Sequence, residues 1–381
     1  MSYVLGDFYA KTGSAIDPRK YPDELFDLLS VPSHDRGIPD LAMGAEIGSF
    51  KIPVEPGDVL ICKIVPHIRR VWVVPSKGDS RQIASGEWIV LRGDQFDPNY
   101  LRHLLLDDRF HSKFMATIAG VGGSLLRARP AHAASIPVAL PPLPEQRRIA
   151  SILDRVDASR RIRHRTISEL GIAINALMQE ALESRTSHEV RELASLVRPD
   201  TTVTYGIVQA GPEILSGVPY IRTSDLVSGH INEANLRHTS AEIAAKFPRS
   251  RVETGDIVMS IRATVGTTAV VPPSLDGANL TQGTARIAPG PEVIADFLLE
   301  YLRSAQAQRW LAAQVKGATF MEITLGRLRE MPVPVAPMAI QVGFASKSQK
   351  LQELANILRE HLARLDELFA SLQHRAFSGE L

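Results

Sequence analysis

Leu140-Pro141-Pro142-Leu143-Pro144-Glu145-Gln146-Arg147-Arg148-Ile149-Ala150-Ser151-Ile152-Leu153 opens the stretch around which the chain can be organised, a helix pattern that continues to Ala181. Alternating steps of four and three select Ile149, Leu153, Val156, Arg160, Arg163, Ile167, Leu170, Ile174, Leu177 and Ala181. Adding 195 to each number gives Phe344, Ser348, Leu351, Ala355, Leu358, Leu362, Leu365, Phe369, Leu372 and Ala376. Eight of ten rungs are apolar in the first ladder and nine of ten in the second, where a composition of 44% hydrophobic gives four or five by chance. Apolar residues about every 3.5 positions, sustained over several heptads, predict a coiled-coil seam. Two amphipathic helices packed on separate cores would share the pattern, but ordinary surface helices seldom run this long.

The chain has 381 residues, enough for two or three domains. Lys+Arg 43 against Asp+Glu 42 leaves a net charge of +1, so no global basic signal points to nucleic acid. The cations divide into 33 Arg and 10 Lys. Arginine offers a planar fork for phosphates and guanine edges, although a GC-rich genome produces the same bias. A single cysteine, Cys62, excludes an internal disulfide framework and a cysteine-based zinc site. No secretion signal is recognisable near Met1, and no apolar run reaches the roughly 18 residues of a membrane span. The expectation is a soluble cytoplasmic protein without a membrane partner.

Residues 1 to about 139 read as a mixed α/β domain. Asp58 to Ile64, introduced by the turn Glu55-Pro56-Gly57, and Val71 to Val74, closed by Pro75, are β-rich runs, and Trp88 to Leu91 is a further short strand. Asp97-Pro98 opens a helix predicted to run through about Ala119, with Asp97 as N-cap and Pro98 in the first turn. Gly120, Gly122 and Gly123 would end it, and Ser135 to Leu140 is extended. From Val190 the plan restarts. Glu253-Thr254-Gly255-Asp256 repeats the Gly-Asp turn at an offset of 198, and Val270-Val271-Pro272 repeats Val73-Val74-Pro75 at 197. A helix from Asp296 to Val315, ending at Gly317, repeats Asn99 to Ile118 at 197, and Met331-Pro332-Val333 repeats Ile136-Pro137-Val138 at 195. Landmarks in one order at nearly constant offset predict an internal duplication, each half a globular domain followed by a long helix.

Duplicated chains tend toward pseudo-two-fold symmetry, which would set the two long helices antiparallel with a domain at each end. Ile149 to Ala181 would then span about 50 Å, or about 15 base pairs of B-DNA. Such an object suits a bipartite target with an unread spacer. The halves differ where readers would differ: His34-Asp35-Arg36 and Lys63 to Arg70 lack close counterparts, and Arg262-Ala263-Thr264-Val265-Gly266-Thr267-Thr268 stands where the latter would be.

Catalytic signatures are missing. No Phe-x-Gly-x-Gly, Asp/Glu-x-Lys, Walker lysine, Gly-x-Ser-x-Gly or His-Glu-x-x-His motif occurs, and the 11 His lack metal-ligand spacing. Asp97-Pro98-Asn99-Tyr100 loosely resembles the Asp/Asn-Pro-Pro-Tyr motif of amino-methyltransferases. It lacks the second proline and reads as a helix cap.

With Leu143-Pro144-Glu145-Gln146-Arg147-Arg148-Ile149-Ala150, the paired Gly57-Asp58 and Gly255-Asp256, and Tyr220-Ile221-Arg222-Thr223-Ser224-Asp225, the chain resembles the DNA-specificity subunits of type I restriction–modification systems over essentially its whole length. The resemblance implies an α+β chain with two similar mixed α/β target-recognition domains, at 1–140 and 186–336. Long helices at 141–185 and 337–381 would separate them and form an intramolecular antiparallel coiled coil. It implies a non-catalytic subunit that binds double-stranded DNA and assembles with two modification subunits and optionally two restriction subunits. S-adenosylmethionine, ATP and magnesium would belong to those partners, with no cofactor or metal on this chain. One departure stands out. The second linker reads Pro337-Met338-Ala339-Ile340-Gln341 and keeps only the glutamine of Pro-Glu-Gln.

Polar and basic residues in loops beside the strands are the candidate DNA contacts. In the first half these are His34, Arg36, Lys63, His67, Arg69, Arg70, Arg127 and Arg129; in the second, Arg222, Thr223, Ser224, Arg249, Arg251, Arg262, Thr264, Gln282 and Lys316. Arginine can grip guanine and glutamine adenine bidentately, while lysine mainly serves phosphates. Arg160 and Arg163 interrupt the seam and are expected to fix its register against Glu360, Asp366 and Glu367. The alternative function is a coiled-coil interaction scaffold without DNA specificity.

Overall fold

Leu143–Glu183 and Met338–Ser378 are both 41-residue helices, and each end of one lies 195 positions from the corresponding end of the other. Their starts are built alike. The amides of Glu145 and Gln146 donate to Pro142 O, and those of Ile340 and Gln341 to Pro337 O. Pro144 sits in the first turn, where a missing N–H costs nothing. The computed structural model describes residues 2–11, 15–76, 78–119, 126–183, 189–227, 229–315 and 321–381. It divides into two compact units, Met1–Arg163 with His361–Leu381, and His164–Glu360, so each long helix contributes one part to each unit.

In the first unit, Val59–Cys62 is the central strand of a three-stranded antiparallel sheet between Val71–Val73 and Trp88–Leu91. A four-stranded sheet runs Asp40–Met43, Leu25–Leu29, Arg81–Ser85, Lys51–Pro53, with a parallel pairing at its centre. Val59–Cys62 and Trp88–Leu91 are buried at every position, which is why they read as unbroken apolar runs. Alternation sends Val59, Ile61, Ile89 and Leu91 into a core with Leu101, Leu105, Ile149 and Leu153. Leu60, Cys62, Trp88 and Val90 enter a second core with Leu29 and Ala84. The second unit repeats the device. Ile257 and Met259 of Ile257–Ser260 pack with Phe297, Ile174, Met178 and Phe344, while Val258 packs with Ala269, Leu280 and Ile221.

The helix expected from Asp97 to about Ala119 is broken in two. Pro98–Leu106 and Asp108–Met115 meet at Asp107, whose ψ of 145° leaves the helical region and whose carboxylate accepts from Arg109 N at 3.0 Å. The second half breaks at the equivalent place: Ala295–Arg303 and Ala305–Gln314 meet at Ser304, which caps Ala307 N. Ile118–Ala119 is a strand paired with Arg127–Ala128 rather than a helix end. The expected terminators Gly120, Gly122, Gly123 and Gly317 lie outside the described residues.

The seam is present. In Met338–Ser378, Phe344, Ser348, Ala355, Leu362 and Ala376 are buried, and Leu351, Leu358, Leu365, Phe369 and Leu372 are half-buried. In Leu143–Glu183, Ile149, Leu153, Ile174 and Ala181 are buried, with Val156, Ile167, Leu170 and Leu177 half-buried. Within each unit the two helical segments run antiparallel. In the first, Arg148 reaches Leu381 O and Arg160 reaches Asp366. In the second, Ile167 and Gly171 share a cavity with Gln352 and Arg359, whereas Leu177 and Ala181 share one with Ile340 and Phe344.

Arg160 makes one of the pairings expected of it. Its Nε donates to Asp366 Oδ1 at 2.6 Å, and its guanidinium lies 4.5 Å from the Phe369 ring centre. Arg163 does not: its Nε is buried without a partner among the described residues.

Candidate nucleic-acid interface

Each half builds its loop cluster on the Gly-Asp turn. Gly57 and Gly255 hold φ of 87° and 86°, and their amides donate to Val74 O and Val271 O, each at 3.0 Å. A side chain at that φ would be strained, so the turn requires glycine. The following aspartates are buried, Asp58 at 2% and Asp256 at 0% exposure, and each accepts the amide three residues earlier, from Glu55 and Glu253. Buried carboxylates require cations. Arg92 grips Asp58 with two 2.7 Å bonds and also reaches Glu55, while Arg286 reaches Asp256 at 2.6 Å and Glu253 at 3.0 Å. These arginines were not among the candidates. Their partners lie some 30 residues away, and no sequence spacing marks them.

The strand after each Gly-Asp turn leads into a loop with the same backbone in both halves. Val65 N donates to Leu126 O, and Ala263 N to Met321 O. Ile64 bridges Arg127 as Arg262 bridges Glu322. Ala128 N donates to Lys63 O, and Ile323 N to Ile261 O. The Lys63 to Arg70 loop thus has a backbone counterpart that its side chains conceal.

In the first unit Lys63, His67, Arg69 and Arg70 lie on this loop, Arg127 bridges it and His34 meets it through Asp35, but not all are free. Arg70 is clamped on Asp35 by bonds of 2.7 and 2.8 Å, and His34 Nδ1 lies 3.1 Å from the same carboxylate while its ring packs on Trp72. The Arg70 hydrogen bond, opposed by burial and helped by His34, holds the Asp35 carboxyl down at about 2. Arg36 pairs with Asp40, Arg69 with Asp108 and Leu106 O, and Arg127 with Glu87. Lys63, His67 and Arg129 have side chains without a hydrogen-bond or ion-pair partner among the described residues, and His67 and Arg129 are exposed. A cation already holding a carboxylate must exchange it to hold a phosphate, so these three are the available groups.

In the second unit Thr223, Ser224, Arg262, Thr264 and Gln282 converge. Ile261 N and Thr223 Oγ1 both donate to Gly283 O, which places the loop, the Thr281–Gly283 turn and the Thr223–Asp225 turn side by side. Arg262 is paired with Glu322 at 3.0 Å, and Arg222 with Asp225 and Asn235 O. Gln282 is free among the described residues. Arg249 and Arg251 are exposed on the segment before the Gly-Asp turn, and among the described residues no contact ties them to the cluster. Lys316 lies outside the described residues.

Asp97 is a cap: its Oδ1 accepts the amides of Asn99 and Tyr100 at 3.0 Å. Among the described residues no group of three or more His, Cys, Asp or Glu could hold a metal ion. Cys62 is buried and forms no disulfide, and among the described residues no helix is long and apolar enough to cross a membrane.

A family profile described as Type I restriction modification DNA specificity domain matches residues 210–367. Over 77% of its length the chain is 25% identical to the type I restriction enzyme EcoBI specificity subunit of Escherichia coli, spanning 68% of that protein. Its fold is shared with a chain of a solved type I R-M system, at TM-score 0.52 and 21% identity, covering 100% of this chain and 98% of that one. The type I S subunit from M. genitalium shares it at TM-score 0.56 and 12% identity, with 99% and 95% covered.

Proposed function

We propose that the chain is a specificity subunit of a type I restriction–modification system and that it reads a split DNA target, one half-site with each globular half. As a specificity subunit it is a non-catalytic component. The observation that carries the two-reader proposal is the doubled loop. One backbone, fixed by the same hydrogen bonds at Val65 and Ala263, carries Lys63 and His67 in one half and Arg262 and Thr264 in the other. A common frame with different polar groups suits two different short sequences.

In this proposal the domains at 1–140 and 186–336 are the readers, and the helices at 141–185 and 337–381 set their separation. Two modification subunits bind the chain, supplying S-adenosylmethionine and adenine methylation, and two restriction subunits with ATP and magnesium can join them. Ile162 and Ile357 support a doubled docking surface: they occupy the same repeat position and are 57% and 51% exposed on the long helices. The test is co-expression of the full chain with the modification subunits encoded beside it. Recovery of a complex that methylates duplex DNA, where neither component does so alone, is the expected result. A chain that purifies without them, or methylation unchanged by its absence, would overturn the proposal.

A further inference from the structure

Among the described residues, two non-glycine residues have left-handed backbone, Val65 at φ 48° and Ala263 at φ 60°, and they occupy the same position of the internal repeat. Left-handed φ is uncommon for any side chain and an outlier for a β-branched one. Such a conformation is strained and persists only where surrounding contacts over-determine it. Those contacts are the bonds from Val65 N to Leu126 O and Ala263 N to Met321 O, with the flanking bridges of Ile64 to Arg127 and Arg262 to Glu322. Glycine would relieve the strain, and the chain uses glycine freely at the nearby turns, yet neither half has it here. Two different side chains in one strained position indicate that the backbone shape, rather than either side chain, is what the repeat retains.

We propose that Val65 and Ala263 are positioning residues for base reading: each fixes the loop that presents its neighbours to DNA bases, Lys63 and His67 in one half, Thr264 in the other. The inference rests on the two-reader proposal and names the loop that does the reading. Val65 turns the chain sharply enough for Ile68 N to return to Val65 O at 3.0 Å, leaving His67 exposed at the tip. In the second half Thr264 is exposed next to Ala263, and Gly266 N returns to Ser260 O at 2.9 Å. Fixing a loop before binding removes its ordering cost from recognition, and with it the freedom to accommodate a wrong base.

The experiment compares wild type, Val65→Gly, Ala263→Gly, His67→Ala and Thr264→Ala, each as the full chain assembled with its modification subunits, by selection from a library of randomised duplex DNA. Melting of each chain is measured alongside. The expected result is that Val65→Gly and His67→Ala lower discrimination at one half-site tenfold or more and leave the other intact. Ala263→Gly and Thr264→Ala should do the reverse, and the glycine variants should melt no lower than wild type. If wild type selects a split site and all four variants select it equally well, the inference is overturned while the two-reader proposal stands. Loss of both half-sites together with a lowered melting point would reassign the strained residues to folding alone, against the inference. If wild type selects no split site, the two-reader proposal falls and the inference with it.

Discussion

Gln146 and Gln341, 195 positions apart in the repeat, make the same three hydrogen bonds. Each carboxamide oxygen accepts the amide that opens the domain's last helical pair, Asp97 N or Ile294 N, at 2.8 Å. Each nitrogen donates to Gln95 O and Pro141 O, or to Glu292 O and Ala336 O. Both side chains are 1% exposed. The second linker lost its Glu and one Pro but kept this glutamine because no other neutral side chain of its size supplies an acceptor and two donors at once.

Replacing either glutamine with leucine leaves buried backbone groups unsatisfied, at about 1–3 kcal/mol for each. Gln146→Leu is expected to loosen the Pro98–Leu106 helix start, and Gln341→Leu the Ala295–Arg303 start. Hydrogen exchange at Asp97 and Ile294 reads this directly. Exchange unchanged in both variants would show the latch to be dispensable.

The pairs Asp58–Arg92 and Asp256–Arg286, each with a buried carboxylate, tie each Gly-Asp turn to a later strand end. Removing one partner strands a charge inside the fold, at a cost of about 3–5 kcal/mol. Arg92→Met should therefore lower the urea midpoint far more than Arg92→Met combined with Asp58→Asn, since the double change leaves no buried charge. Equal effects of the single and double substitutions would refute the pairing.

The long helices were legible because their ladder persists at one period, and the duplication because Gly57-Asp58 and Gly255-Asp256 are forced by geometry. The breaks at Asp107 and Ser304 were hidden, because apolar spacing continues across them from Leu105 to Phe110 and from Leu302 to Ala307. Asp107-Asp108 was a capping signal inside a region otherwise patterned as one helix. The candidate site was legible as a region but not group by group. Arg70 and Arg127 look like free cations in sequence, yet Asp35 and Glu87, 35 and 40 positions away, hold them.

For Arg70 this changes the choice of variant. Arg70 anchors Asp35, so a loss of binding in Arg69→Ala with Arg70→Ala would not report DNA contact alone. Acid titration isolates the pair. The Asp35 carboxyl is lowered from 3.8 to about 2, so its stabilisation is complete above about pH 4 and is lost as pH falls toward 2. Asp35→Asn should remove that part of the acid-unfolding profile and leave the profile above pH 4 parallel to wild type. An unchanged profile between pH 4 and 2 would contradict the assignment. Asp35 is largely solvent-exposed, so the effect should be small and should shrink in high salt.

Arg160 joins the two helical segments of the first unit through Asp366 and the Phe369 ring. A partly exposed ion pair and a partly exposed cation–π contact together amount to about 1 kcal/mol. A double-mutant cycle with Arg160→Leu and Asp366→Asn should show coupling of a few tenths to about 1 kcal/mol. Additive effects would mean that the pair contributes no register. Arg163→Leu, which removes a buried unpaired Nε, should raise stability.

The two-reader account stands or falls on the target itself. Methylation-sensitive sequencing of DNA from cells carrying this gene together with the genes beside it should reveal one motif of two short defined blocks around a spacer of fixed length and free sequence. Exchanging the loop residues of one half should alter one block and leave the spacer unchanged. A continuous motif, a variable spacer, or no methylation dependent on this chain would contradict the account.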